Sequence, residues 1–292
     1  MQIREIFDKK KLTLSFEVFP PKMQGNLDVL PQKIKKLAAL NPDFISVTCG
    51  AGGTNQGQVL EVSKMVAQNG AVSLTHLTCV NSTKEKIAAT MKEMKAAGIE
   101  NILALRGDIP QGMTEEEATR DGYKHADELT GALKKEGFCV GGACYPEGHP
   151  ESANRIEDIE LLKRKVEAGA DFLTTQMFFD NDILYSFLYR LEAAGIHLPV
   201  LAGIMPITAT SQIPKMIKLS NAFIPRKLLA ICDRFGSSPE ALRQAGIAYA
   251  TDQIIDLISN GIRGIHIYTM NKPEIAEEIL KNVSDIIGAC NK

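Results

Sequence analysis

Four segments of the chain, AAGIENILALRGD, EAGADFLTTQMFFD, AAGIHLPVLAGIMP and SNGIRGIHIYTMN, repeat one arrangement. Each passes from the end of a helical stretch through a glycine into a short apolar run that finishes on polar or Gly-rich residues. The glycines Gly98, Gly169, Gly195 and Gly261 stand where a helix C-terminus calls for left-handed backbone angles. A search for similar runs yields eight strands, near 12–18, 43–48, 72–77, 101–105, 139–144, 171–176, 199–204 and 263–268. Amphipathic segments separate them. The last is the plainest, with Pro273 suited to a first helical turn and Ile275, Ile279, Val283 and Ile286 at helical spacing.

Eight strand–helix units that begin with a strand predict an α/β fold, a (β/α)8 (TIM) barrel forming a single domain over residues 1–292. The competing open, doubly wound sheet usually carries G-x-G-x-x-G after its first strand. Here the first strand ends in Pro20-Pro21, and the Gly-rich stretch from Gly50 to Gly57 fits neither that fingerprint nor a phosphate-binding Walker loop. The gap before the eighth strand is about 60 residues, which places additional helical structure at 221–260.

Composition narrows the function classes. The formal net charge is −2 with both signs interspersed, so no basic stripe marks a nucleic-acid partner. No segment reaches the roughly 18 consecutive apolar residues of a membrane span. The N-terminus lacks the pattern of a signal peptide, and the six cysteines show neither C-x-x-C pairs nor a regular framework. A reduced, cytoplasmic protein is expected. Oligomeric state is not legible, and a homo-oligomer stays open.

In a barrel, alternate strand residues point inward and functional groups gather at the C-terminal strand ends. In LSFEVFPP, Leu14, Phe16 and Val18 form an apolar face for the helices, so Ser15, Glu17 and Phe19 point inward. The same parity puts His76 at the end of the third strand, Arg106 after the fourth, Thr174 and Gln176 at the sixth, and His266 and Tyr268 in the eighth. Thr48, Asp108, Tyr145 and His149 fall in the loops just beyond strands. Taken singly, each has a structural reading: Glu17 and Arg106 as an ion pair, Asp108 as a turn residue, the histidines as core residues, YPEGHP as a rigid loop. Their convergence on one end argues for a site. Metal chemistry lacks an H-x-H or clustered carboxylates, and Ser-His-Asp chemistry lacks a G-x-S-x-G elbow.

SFEVFPPK, FISVTCGAGG, THLTC, ILALRGDIP, YPEGHPE, LKRKVEAGADFLTTQMFFD, GIMPI and IHIYTMN occur in this order. In this the chain resembles the 5,10-methylenetetrahydrofolate reductases, specifically the bacterial flavoprotein form consisting of the catalytic barrel alone. The resemblance implies FAD-dependent reduction of 5,10-methylenetetrahydrofolate to 5-methyltetrahydrofolate, with electrons from NADH or NADPH. It implies Glu17 as general acid, because opening the substrate's five-membered ring to an electrophilic iminium requires a proton on the departing nitrogen. Desolvation of an inward carboxylate would keep that proton available. Asp108, the RGD aspartate, would lie near flavin and pterin and favour the cationic iminium.

By the same resemblance, Gln176 and Gln212 would contact folate. Thr48, His76, Arg106, Gly107, Asp108, Tyr145, His149, Asp158 and Lys165 would contact FAD, with Arg106 and Lys165 suited to its phosphates. Two positions depart from the family pattern: Cys49 stands where Tyr is common, and Lys272, a substrate-side position, where Arg is common. Lysine keeps the charge but loses the planar fork. Two other readings remain open at this stage. One is a barrel lyase or corrinoid-linked methyltransferase of one-carbon metabolism. The other is a flavin-binding subunit fed electrons by a partner protein.

Overall fold

A computed structural model describes residues 1–20, 29–49, 56–220 and 222–292. Its eight strands are β1 (Thr13–Val18), β2 (Phe44–Val47), β3 (Ser73–Thr78), β4 (Asn101–Leu105), β5 (Cys139–Cys144), β6 (Phe172–Thr175), β7 (Val200–Ile204) and β8 (Gly264–Tyr268). All neighbours are parallel, and β8 pairs with β1 to close the barrel. The fold is thus a (β/α)8 barrel, with strand boundaries within a residue or two of those read from the sequence. Pro21 and the Gly-rich residues 50–55 lie outside the described residues.

The helices among the described residues are α1 (Ile3–Lys9), α2 (Leu30–Ala38), α3 (Gln56–Gln68), α4 (Lys84–Ala96), α5 (Glu115–Thr119), α6 (Ala126–Lys135) and α7 (Arg155–Glu167), followed by α8 (Asn181–Ala193), α9 (Gln212–Ser220), α10 (Arg226–Phe235), α11 (Pro239–Ser259) and α12 (Pro273–Cys290). The outward strand residues bury against this layer. Leu14, Phe16 and Val18 share one core with Leu30, Ile34 and Leu37 of α2 and Ile275 and Ile279 of α12. That is the face the alternation in LSFEVFPP assigned to the helices. Burying each such side chain contributes about 1.5–3 kcal/mol.

The barrel's N-terminal end is filled by Phe44, Leu74, Leu103, Cys139, Phe172 and Leu201, and α1 lays Ile3, Ile6 and Phe7 across them. The rings of Phe7 and Phe172 lie 5.6 Å apart. Gly141 makes room for this plug, since a Cβ there would sit 2.6 Å from the Phe172 ring. Helix α1 has no side-chain N-cap, and its docking is tertiary: the buried Asn101 Oδ1 accepts the Ile3 N–H at 2.7 Å.

Helical structure before β8 was expected over 221–260. The structure has α10 and α11 there, with residue 221 outside the described residues, and it also has α9 from Gln212. Met216 of α9, Leu228 and Cys232 of α10 and Leu242 of α11 share a separate core with Phe179, Met205 and Ile207. These last three lie just past β6 and β7, so the added helices pack at the C-terminal end of the barrel.

Candidate functional site

Glu17 is the last but one residue of β1, beside Ser46 of β2 and Tyr268 of β8 in strand register. Its side chain is 18% exposed, and its Oε2 lies 3.8 Å from both His76 Nε2 and His266 Nε2. Each histidine is held by a serine from the neighbouring strand. Ser46 Oγ lies 2.6 Å from His76 Nε2, and Ser15 Oγ lies 2.8 Å from His266 Nδ1. Burial pulls His76 down to about 4, an effect the Glu17 charge only partly opposes, so its ring is neutral at pH 7. The Glu17–His76 contact is therefore not an ion pair. Burial, reinforced by Glu17, raises the Tyr268 phenol well above its ordinary range. Its hydroxyl donates to the Thr175 carbonyl at 2.8 Å.

The parity assignments of Glu17, His266 and Tyr268 hold, but Arg106 follows β4 on the parity of Ile102 and Ala104, which pack on the helix side, whereas Leu103 faces inward. His76 does not end its strand, because β3 continues to Thr78. It sits below the rim, 5% exposed, and forms part of the floor beneath the mouth. The structural ion pair weighed between Glu17 and Arg106 is not formed. The Arg106 Nη2 donates to Glu151 Oε1 at 2.8 Å, and Nη1 lies 2.6 Å from Oε2, a two-pronged pair at the rim.

A second cluster follows β4 and β5. Gly107 has φ +88°, and a Cβ there would meet Val80 Cγ1 at 2.8 Å, so the turn between Arg106 and Asp108 requires glycine on both counts. Asp108 is exposed. The Tyr145 and His149 rings meet edge-on with centroids 4.6 Å apart. Burial, and next the Asp108 charge, push the Tyr145 phenol up to about 12, while burial lowers His149. Asp158, 8% exposed on α7, accepts the His149 backbone N–H at 3.1 Å and the Ser152 hydroxyl at 3.3 Å. Lys165, two turns along α7, reaches the Ala143 carbonyl at 3.0 Å. Burial lowers it, and no carboxylate pairs with it among the described residues.

The methylenetetrahydrofolate reductase family model matches residues 2–284 of the chain. The 5,10-methylenetetrahydrofolate reductase of Escherichia coli (strain K12) is 32% identical over 271 residues, covering 92% of this chain and 90% of that one. The chain belongs to the methylenetetrahydrofolate reductase family. A plant relative, methylenetetrahydrofolate reductase (NADH) 1 of Zea mays, is 34% identical over 297 residues, covering 97% of this chain and 50% of the relative. The chain thus spans about half the length of the plant reductases it matches and nine tenths of the bacterial ones. Among solved structures, a Clostridium thermocellum protein that binds two copies of 5-methyl-5,6,7,8-tetrahydrofolic acid superposes with a TM-score of 0.65 at 12% identity, covering 99% of this chain and all of that one. Oxaloacetate acetylhydrolase superposes at 0.54 with 12% identity, covering 98% and 84%. At such identities these two show the shared barrel.

Of the positions the family pattern points to, Glu17 and His76 form the floor, and Arg106, Gly107, Asp108, Tyr145, His149, Asp158 and Lys165 gather on the β4–β5–α7 side. Thr48 follows β2 and is tied to β1 by its N–H on the Val18 carbonyl at 2.9 Å. Gln176 follows β6, its N–H on the Cys144 carbonyl at 2.7 Å. Gln212 is engaged locally: its Oε1 accepts from the Thr208 and Ala209 N–H groups at 2.8 and 2.9 Å, and its Nε2 donates to the Pro206 carbonyl at 3.4 Å. Lys272 is exposed at the start of α12. Sequence reasoning missed Ser46, Glu151 and Asn271. Asn271 clamps the end of β1, accepting from the Phe19 N–H at 3.0 Å and donating to its carbonyl at 2.8 Å. Serine and asparagine at inward or strand-end positions were the available signals.

Proposed function

We propose that this chain reduces 5,10-methylenetetrahydrofolate to 5-methyltetrahydrofolate with FAD as cofactor and NADH as electron donor. The observation that carries this reading is the Glu17 carboxyl, aimed into the mouth of the barrel of a reductase-family chain and flanked by neutral imidazole. NADH is favoured over NADPH by the names of the plant relatives. Folate as substrate class is supported by the family and by the ligand of the Clostridium thermocellum barrel.

The residues present fit a flavin nucleotide. Lys165 brings a cation with no carboxylate partner among the described residues, and the positive-φ turn at Gly107, packed against Val80, sets Arg106 and Asp108 side by side after β4. Inside the mouth, Thr174 Oγ1 is a buried polar atom with no hydrogen-bond partner, an expensive state unless something else completes it. Arg106, Lys165, Tyr145, His149 and Asp158 would hold the cofactor, with Glu151 sharing the Arg106 fork. A bound FAD supplies hydride transfer, chemistry that no side chain here provides.

The chain's own residues do the rest. Glu17 holds a proton at its carboxyl oxygen and delivers it to the departing nitrogen as the substrate ring opens. Asp108, at the rim, supplies negative charge that favours the resulting cation. Gln176, after β6, orients the pterin, and the barrel wall keeps bulk water from the reacting carbon. Purified protein incubated with FAD is expected to acquire a flavin spectrum that NADH bleaches. A protein that takes up no flavin would overturn the reading.

A further inference from the structure

Three titratable side chains face Glu17 among the described residues: His76 from β3, and His266 and Tyr268 from β8. Each has its hydrogen-bonding capacity toward the carboxylate already committed. The Tyr268 proton goes to the Thr175 carbonyl at 2.8 Å. The His76 Nε2 is taken by Ser46 Oγ at 2.6 Å, well inside its 3.8 Å distance to Glu17. The partner of His266 is Ser15. The Ser15 hydroxyl has one proton, and it lies 3.3 Å from the Ile265 carbonyl, which can only accept. With that proton donated to the carbonyl, Ser15 Oγ accepts at 2.8 Å from His266 Nδ1, the tautomer in which Nδ1 carries the imidazole hydrogen. An imidazole whose only hydrogen is on Nδ1 presents Nε2, 3.8 Å from Glu17 Oε2, as a bare lone pair.

We propose that Ser15 is a positioning residue: it locks His266 in the Nδ1–H form, so that His266 turns a lone pair rather than a donor toward Glu17 and the protonated carboxyl is favoured over the carboxylate. This rests on the reading of Glu17 as the general acid and gives that reading its structural cause. Two acceptors facing each other repel, and protonating the carboxyl removes that repulsion. Ser15 is wholly buried, two residues before Glu17 on the same face of β1. Replacing it with alanine frees the imidazole to place its hydrogen on Nε2, where it would donate to the carboxylate instead.

The test uses protein labelled with ¹⁵N-histidine, whose long-range correlation spectra distinguish the two tautomers, with a His266→Asn variant assigning the signal. His266 is expected as Nδ1–H in the wild type and in Ser15→Thr, and as mainly Nε2–H in Ser15→Ala. In Ser15→Ala the alkaline limb of the pH–turnover profile should move down by about one pH unit, the size of a change of roughly 1.4 kcal/mol in the balance between protonation states. Ser15→Thr should restore the wild-type limb, which a loss of packing alone would not produce. An Nε2–H signal in the wild type overturns the proposal, and that measurement needs no variant to fold. So does a Ser15→Ala protein whose tautomer or whose pH limb is unchanged. If Glu17→Gln keeps full turnover, the general-acid reading fails while the tautomer result stands, so the two failures are separable.

Discussion

At the N-terminal end of the barrel the inward positions of β2, β3, β6 and β7 carry Phe44, Leu74, Phe172 and Leu201, all buried beneath α1. Two residues further along the same strands stand Ser46, His76, Thr174 and Gly203. One lattice of alternating side chains thus changes from a dispersion-packed plug to a hydrogen-bonded, titratable floor within a single pleat repeat. The plug supplies stability without chemistry. The floor accepts the cost of buried polar groups, each needing a partner, to hold Glu17 in place. Substitutions at the two ends should therefore separate in what they damage.

The largest effect on stability is expected from Phe172→Ala. Its ring is fully buried against Phe7 and Phe44, and removing it should cost about 3–5 kcal/mol in denaturant unfolding. Flavin binding by the folded fraction should be unchanged. Next comes pH. His76 is held near 4 in the fold against an ordinary value of 6.5, so between those values the unfolded chain binds more protons. Stability of the cofactor-free protein should be full above about pH 6.5 and fall as pH drops, by about 2 kcal/mol at pH 5. His76→Gln should flatten that slope, as read from urea midpoints at pH 7 and 5. Smallest on stability is Glu17→Gln, which keeps the side chain's size and, with no Lys or Arg paired to it among the described residues, should shift the unfolding midpoint least of the three.

The barrel was legible because its signals are local: glycines at the helix ends before β4, β6, β7 and β8, apolar runs, and an alternation that named the inward face of β1. Glu17, His266 and Tyr268 followed from parity alone. What stayed hidden depends on contacts across the sequence. Helix α1 has no side-chain cap and exists because Asn101, 98 residues away, accepts from Ile3. The pairing of Ser15 with His266 spans 251 residues and rests on β8 closing against β1 in one register. Helix α9 has Ile213, Met216 and Ile217 at helical spacing, but its start is set by a local box of Gln212 with Thr208 and Ala209 that no periodicity marks. The family resemblance pointed to Lys165 as a phosphate contact; its burial, its bond to Ala143 and its want of a carboxylate partner could be seen only in the structure.

On the proposed function, the C-terminal end of this barrel presents the Glu17 proton to a folate bound beside reduced flavin. Following the two half-reactions of Glu17→Gln by the flavin spectrum tests it most directly. Bleaching by NADH should proceed as in the wild type, while reoxidation by 5,10-methylenetetrahydrofolate should slow by about 10²–10⁴-fold, the usual worth of a positioned general acid. Reoxidation at the wild-type rate would contradict the role assigned to Glu17.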